Sequence, residues 1–457
     1  MLQLHTSHSI YFLGIGGIGM SALARYFVGE GKVVSGYDRS RSVVTDALEA
    51  AGIPVFFEAD AQRVHDADVV VYTPAIPAQH PERVAALRLG KPMYKRAEVL
   101  GAISRQYRTL AVAGTHGKTT TSTMLAHLLR HAGLDITAFL GGLSVNLGGN
   151  FIHGSSPWLV VEADEYDRSF LQLQPEWAVI NSLDPDHLDI YGSAEAMTET
   201  YHRFAEQTQH LLVHIDLAHA GWTRPVQTFG DHGDFQVKDL KQEGLTSVFD
   251  LVHPQGQLTD LRLSLPGRHN AHNMAAACAL GLILGLSDAQ LTAGVASFRG
   301  IYRRFEVQVD RPDLTYIDDY AHHPREIAAA LGTARACFPD RQLVVVFQPH
   351  LYSRTRDFYE GFAQELSQAD AALLMPIYPA REEPLEGVSS QGILDRMTLT
   401  HKALTTREAL VEQVKAQLRG PTVLLTLGAG DIDQEVPRLT RALTLDPRPI
   451  SSTPDPN

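Results

Sequence analysis

The stretch that most constrains this chain is Ala111 to Thr121, AVAGTHGKTTT. An apolar run from Leu110 to Ala113 leads into a turn bracketed by Gly114 and Gly117. Lys118 and Thr119 follow, and Met124, Leu125, Leu128 and Leu129 then keep a helical spacing. A strand feeding a glycine turn and a helix start is the grammar of a parallel α/β fold, with the turn at the carboxyl end of the strand. The same turn specifies chemistry. Backbone N–H groups and the positive helix end face an anion, a lysine adds a point charge, and a hydroxyl can bind magnesium. The general pattern puts four residues between its first glycine and its Gly-Lys pair; here only Thr115 and His116 intervene. Gly-Lys-Thr alone fits an ordinary helix start with a surface lysine equally well. The preceding strand and the three threonines favour a shortened nucleotide loop made of Gly114, Thr115, His116, Gly117, Lys118, Thr119 and Thr120.

The grammar recurs. At about 150 residues per domain, 457 residues suggest about three domains. Ser9 to Leu13 reads as a buried strand, Gly14-Ile15-Gly16-Gly17-Ile18-Gly19 as a turn, and Met20 to Phe27 as a helix. A second strand begins at Val33 and ends at Asp38. Taken alone, this fingerprint points to NAD or FAD with the acid on a ribose. Further strands at Val55 to Phe57, and at Val69 to Tyr72 before Thr73, complete an α/β domain over residues 1–105.

A second domain spans 106–305. Its strand Trp158 to Val161 ends in Glu162-Ala163-Asp164-Glu165, and Ala178 to Asn181 is followed by Asp184, Asp186, His187 and Asp189. Acids at strand ends beside a phosphate loop can hold Mg²⁺ directly or through water. A solvated acidic turn and a packing histidine are the plain alternatives. Residues 205–260 mix polarities and suggest an antiparallel extension. Pro266 to Asn273 then enters an alanine-rich helix running through Leu286, where Asn270 and Asn273 either cap the helix or pair with an adenine edge. The third domain, 306–457, repeats strand and helix. Polar clusters sit at the strand ends: Asp318 to Pro324 after Thr315–Ile317, Gln348 to Arg354 after Leu343–Phe347, and Gly428 to Asp431 after Val423–Leu427.

Composition narrows the function classes. The net charge of −13, with no block of lysine or arginine, argues against nucleic acid as a partner. Cys278 and Cys337 stand far apart and suggest neither a disulfide framework nor a metal ribbon. No run approaches the ~20 apolar residues of a membrane span, and the first residues lack a signal pattern. The expectation is a soluble cytoplasmic enzyme with no membrane partner.

Nine motifs in order, GIGGIGMSALA, AVAGTHGKTTTS, VEADEYDRSFLQLQP, DPDHLDIYG, PGRHNAHN, RRFE, DDYAHHPREI, FQPHLYSRTRDF and TLGAGDID, give the chain a resemblance to the Mur ligase family, nearest its alanine-adding branch. The resemblance implies a three-domain α/β fold: an N-terminal Rossmann-like UDP-binding domain, a central P-loop ATPase-like domain and a C-terminal Rossmann-like domain. It turns the N-terminal glycine turn toward a UDP-sugar, held by Gly14, Gly16, Gly17, Ile18, Gly19, Asp38 and Thr73. It implies ATP-driven ligation of L-alanine to the carboxylate of UDP-N-acetylmuramate through an acyl phosphate, with two Mg²⁺ ions. Small molecules would be the partners, and the protein a monomer or homodimer. Lys118 would neutralise the transferring phosphoryl group. Thr119 would bind one Mg²⁺, and Glu162 and His187 a second. Asn270 and Asn273 would lie on adenine, Arg304 on phosphate and Asp319 on ribose. His322, His350 and Arg354 would surround the alanine, with His322 as proton acceptor.

Two departures stand out. Ile190 to Thr208 contains no lysine, so the carbamylated lysine of several family members cannot come from this segment. Leu351 follows the histidine of QPH where many of the alanine-adding branch carry arginine, leaving Arg354 to act alone. The rivals are a Mur ligase that attaches a recycled tripeptide, a nucleotide-dependent switch without catalysis, and a dehydrogenase.

Overall fold

The computed structural model describes residues 3–186, 188–380 and 382–445. His187, expected as a metal ligand and catalytic residue, lies outside them. The described residues form three sheets. Its contacts divide into two compact units, one of residues 1–239, 249–261 and 272–298, the other of residues 240–248, 262–271 and 299–457. No helix among the described residues is long and apolar enough to cross a membrane.

The first sheet holds β1 (Ser9–Leu13), β2 (Val33–Tyr37), β3 (Val55–Phe56), β4 (Val69–Tyr72) and β5 (Met93–Lys95). Its order is β3-β2-β1-β4-β5, with every pairing parallel. The near-continuous apolar runs of β1 and β4 follow from burial on both faces of a parallel sheet. Strand order reverses between β1 and β4, which opens a crevice at their carboxyl ends. The glycine turn after β1 enters the helix Ile18–Gly29 there, two residues earlier than the apolar pattern indicates.

The second sheet begins with β6 (Arg108–Ala113), β7 (Thr137–Ser144), β8 (Gly149–Ile152), β9 (Trp158–Glu162) and β10 (Trp177–Ile180). It continues through β11 (His210–His214), β12 (Val226–Gly230), β13 (Phe235–Glu243), β14 (Thr246–His253) and β15 (Gly256–Leu263). The order is β15-β14-β13-β12-β11-β10-β6-β9-β7-β8. Central β6 is parallel to β9 and β10, so the phosphate loop lies between their carboxyl ends. Only two residues connect β13 to β14, and two connect β14 to β15. Connections that short join antiparallel neighbours, so the antiparallel extension expected over 205–260 begins only at the β13–β14 turn; β11 and β12 continue the sheet in parallel. One apolar core lies under the first two sheets, gathering Phe12, Tyr26, Phe27, Phe139, Phe170 and Phe204.

The third sheet comprises β16 (Glu306–Asp310), β17 (Leu314–Asp319), β18 (Gln342–Phe347), β19 (Ala371–Leu374), β20 (Lys402–Leu404) and β21 (Thr422–Leu427). Its order is β16-β17-β21-β18-β19-β20, parallel except for β16 against β17. Its own core includes Tyr316, Val344, Val346, Leu424 and Leu439. The polar clusters named from sequence follow β17, β18 and β21, three adjacent strands.

Candidate active site

In the first unit, β6 ends at Ala113 and the helix Lys118–His131 begins after four intervening residues. Two glycines make the tight passage possible. Gly117 caps the helix with φ +79°, and a β-carbon there would lie 2.7 Å from both Asn181 Nδ2 and Asn273 Oδ1. Gly114, at φ +126°, leaves no room for one beside the backbone nitrogens of Asn181 and Ser182. Neighbouring strand ends hold the loop. Thr115 N–H donates to Ser182 O at 3.2 Å, His116 N–H to Ser182 Oγ at 2.9 Å, and Thr115 Oγ1 to Asp184 O at 2.7 Å. The His116 ring sits 3.3 Å from Asp184 Oδ2.

Lys118 is fixed by three oxygens. Its Nζ donates to Gly114 O at 2.7 Å, Thr115 O at 3.2 Å and the Glu165 carboxylate at 2.9 Å. Glu165 is only 1% exposed. Burial pushes its carboxyl up to about 7, against the lowering pull of Lys118. Burial also works to lower the lysine, but Glu165, Glu162 and Asp164 outweigh it and hold the ammonium above its ordinary value. Lys118 therefore stays charged and aimed along the loop.

The acids of the EADE run part company. Glu162, at the end of β9, occupies the space a side chain on Gly141 would fill, 2.1 Å from that β-carbon position. Asp164 pairs with Arg96 at 3.0 Å. Glu165 serves Lys118. Thr119 and Thr120 are buried in the first helical turn. No cluster of three His, Cys, Asp or Glu residues shaped to hold a metal is found among the described residues. Asn181, at the end of β10, donates to Thr121 Oγ1 at 2.9 Å, and its buried Oδ1 has no partner among the described residues.

At the first glycine turn, Gly16 N–H donates to Asp38 Oδ2 at 2.7 Å, and the Thr73 methyl lies 2.7 Å from where a Gly14 side chain would begin. Arg96 reaches the same turn, its Nη1 2.7 Å from the corresponding position at Gly19. Sequence reasoning missed Arg96, Asn181 and the role of Glu165. Only Glu165 carried a signal, as one acid of a run beside the loop.

In the second unit, Arg303 rather than Arg304 is the buried arginine. Its Nε bonds Asp318 Oδ2 at 2.9 Å and its Nη2 donates to Gly428 O at 2.6 Å, joining the ends of β17 and β21. Arg304 lies over the Tyr320 ring, 5.1 Å from its centroid. Both oxygens of Asp319 accept backbone N–H groups, from Phe305 at 2.7 Å and Ala321 at 2.8 Å. Burial pushes its carboxyl up to about 6 against the pull of Arg304. Asn270, also in this unit, donates its amide to Pro266 O at 2.7 Å.

The three residues expected around the amine do come together. The His322 and His350 rings are 5.9 Å apart, and Arg354 Nη1 lies 3.4 Å from His350 Nδ1. Tyr378 stacks on His350 at 5.7 Å. His322 Nδ1 faces Tyr320 O at 3.0 Å, with Glu326 Oε2 at 3.3 Å. A carbonyl can only accept, so neutral His322 carries its proton on Nδ1 and Nε2 is the basic nitrogen. Arginine can only donate, so His350 carries its proton on Nε2. Leu351 is buried with φ +70°.

Comparison with known proteins agrees with this layout. Residues 9–108 match the model of the Mur ligase family catalytic domain, 112–281 that of the Mur ligase middle domain, and 303–430 that of the Mur ligase glutamate ligase domain. The UDP-N-acetylmuramate–L-alanine ligase of Flavobacterium johnsoniae is 43% identical over 97% of this chain and 99% of its own. That of Porphyromonas gingivalis is 44% identical over 93% and 97%. The crystal structure of UDP-N-acetylmuramate–alanine ligase from Thermotoga maritima superposes with a TM-score of 0.82 at 30% identity, covering 95% of this chain and 99% of that one. A murein peptide ligase from Psychrobacter arcticus shares the fold, with a TM-score of 0.72 at 23% identity over 96% and 100% of the two chains.

Proposed function

The chain belongs to the Mur ligase family, and we propose that it joins L-alanine to the lactyl carboxylate of UDP-N-acetylmuramate at the expense of ATP, in peptidoglycan precursor synthesis. The observation that carries this reading is the end-to-end match, over 97% of the chain, to a relative of that one name. In this reading three domains divide the work, with boundaries near residues 105 and 305.

A carboxylate is a poor electrophile. ATP converts it to an acyl phosphate, the neutral amine of alanine attacks the acyl carbon, and phosphate leaves. Phosphoryl transfer between two anions needs alignment and positive charge more than covalent help. Lys118 supplies that charge from a fixed position, because Glu165 and two loop carbonyls leave its ammonium little freedom. The N–H groups at the helix start, from Gly117 to Thr120, cradle the phosphates, those of Thr115 and His116 being held by Ser182. Asn270 and Asn273 are assigned to adenine, Arg304 to phosphate and Asp319 to ribose, where Asp319 would share its oxygens with the amides it already accepts. The glycine turn with Asp38 and Thr73 is assigned to the UDP-sugar, and Arg96 joins it.

Thr119 and Glu162 offer hard oxygen donors of the kind Mg²⁺ takes; Thr119 would hold one ion, and Glu162 with His187 a second. Magnesium, when bound, would neutralise charge on the transferring phosphoryl oxygens. In the second unit, Arg354 is assigned to the alanine carboxylate. His322 Nε2 is assigned to the departing amine proton, with Glu326 stabilising the imidazolium that results.

The test is a panel of amines with UDP-N-acetylmuramate, scored by ADP release. L-alanine should be the fastest acceptor. A tripeptide outpacing it would move the chain to the recycling branch.

A further inference from the structure

Beyond the residues assigned above, the first unit carries a chain of polar side chains that the reaction does not use. It runs over the carboxyl ends of β11 and β12. His214, the last residue of β11, places Nε2 3.2 Å from Nδ1 of His272, in the first turns of the helix Arg268–Ile283. His272 Nε2 lies 3.0 Å from Asp231 Oδ1, just past β12. On the other side, the Asp216 backbone N–H donates to His214 Nδ1 at 3.4 Å, and its carboxylate lies 3.4 Å from that nitrogen. Both rings are largely buried.

The partners fix the proton positions. Asp231 accepts, so His272 carries its proton on Nε2 and offers Nδ1 as acceptor. His214 then carries its proton on Nε2 and accepts from Asp216 N–H on Nδ1. Every bond is satisfied with both rings neutral. A second proton on His272, at Nδ1, would set two N–H groups against each other across 3.2 Å, whereas one on His214, at Nδ1, would face Asp216 and leave that bond in place. Burial, and then the neighbouring His272, hold His214 below the ordinary histidine value, while Asp216 and Asp231 pull the other way. Among the charged groups facing the chain is also Lys238, whose Nζ lies 3.5 Å from Asp231 O.

His272 directly precedes Asn273, whose Oδ1 sits over Gly117 at the start of the phosphate-loop helix. Successive helical residues turn together, so anchoring residue 272 to two strand ends fixes where the next side chain points. We propose that the Asp231–His272–His214 chain is a positioning device for Asn273, setting the affinity for ATP in a proton-dependent way. The inference rests on the assignment of Asn273 to adenine.

The test is steady-state kinetics of the full-length enzyme from pH 5.5 to 8, with KM for ATP and for UDP-N-acetylmuramate measured separately. Wild type should show a KM for ATP that rises toward acid, with no matching rise for the UDP-sugar. His214→Leu breaks the chain and should raise KM for ATP about fivefold at pH 7.5, the loss of one buried hydrogen bond, with kcat little changed. His214→Gln keeps an N–H at the same reach and, with its amide turned, offers an oxygen to a doubly protonated His272. It should restore KM and flatten the acid limb. Asn273→Ala should raise KM for ATP, and adding His214→Leu to it should do nothing more. A raised KM in Asn273→Ala with wild-type values in His214→Leu, or an acid limb that persists in His214→Gln, overturns this inference alone. An unchanged KM in Asn273→Ala overturns the adenine assignment and the inference together.

Discussion

Replacing Lys118 by methionine separates its structural role from its chemical one. Methionine keeps most of the apolar stem and removes the charge, which leaves the Glu165 carboxylate, 1% exposed, without its counter-ion. Stranding one partner of a buried pair costs about 3–5 kcal/mol. Two loop carbonyls also lose a donor, at about 1 kcal/mol each. Glu165 can relieve part of this by taking a proton, since burial already holds it near 7. A net loss of about 3 kcal/mol is expected near neutral pH. The sign of the pH dependence follows. A carboxyl whose folded pKa is raised binds its proton more readily in the folded state, and without the lowering pull of Lys118 that of Glu165 rises further, so Lys118→Met should gain stability as pH falls through 7 toward the ordinary value of 4.5. Denaturant titrations at pH 5 and pH 7.5 measure both effects. Ligation, followed by ADP release, should fall about 100- to 1,000-fold or more. Adding Glu165→Gln should return most of the stability and none of the ligation. A stability loss below about 1 kcal/mol, or ligation within tenfold of wild type, would refute the reasoning.

Two further outcomes test the frame around that lysine. Gly117→Ala puts a methyl 2.7 Å from Asn181 and Asn273 at φ +79°; KM for ATP should rise at least about tenfold with about 1–2 kcal/mol of backbone strain, and an unchanged KM would show that the loop does not need its glycine. Arg303→Met strands Asp318, which is 1% exposed. A cost of about 3–5 kcal/mol should lower the melting transition of the second unit by about 10 °C, and an unshifted transition would contradict the buried pair.

Much of this molecule is legible in its sequence because parallel strands, buried on both faces, are written as continuous apolar runs. β1, β4, β6, β18 and β21 fall within two residues of where those runs place them. Residues 205–260 resist such reading because β13 and β15 break their buried positions with exposed ones and each joins β14 through only two residues, so no long apolar run marks them. The site divides in the same way. Gly114, Gly117 and Lys118 announce themselves through local backbone demands. The partner of Lys118 does not, because Glu162, Asp164 and Glu165 look alike in a row and only packing sends one to Gly141, one to Arg96 and one to the lysine. Likewise nothing in the pair Arg303-Arg304 tells which arginine is buried against Asp318. The left-handed turn through Arg303 and Phe305 decides it. The choice between a dinucleotide and a UDP-sugar at the first glycine turn is open from those residues alone and closes only with the motifs that follow.

The most direct test follows oxygen. UDP-N-acetylmuramate labelled with ¹⁸O in its lactyl carboxylate, incubated with the enzyme, ATP and L-alanine, should yield phosphate carrying one ¹⁸O for each amide formed, because the carboxylate oxygen bonded to phosphorus leaves with it. Unlabelled phosphate alongside amide product would contradict an acyl phosphate made at the Lys118 loop.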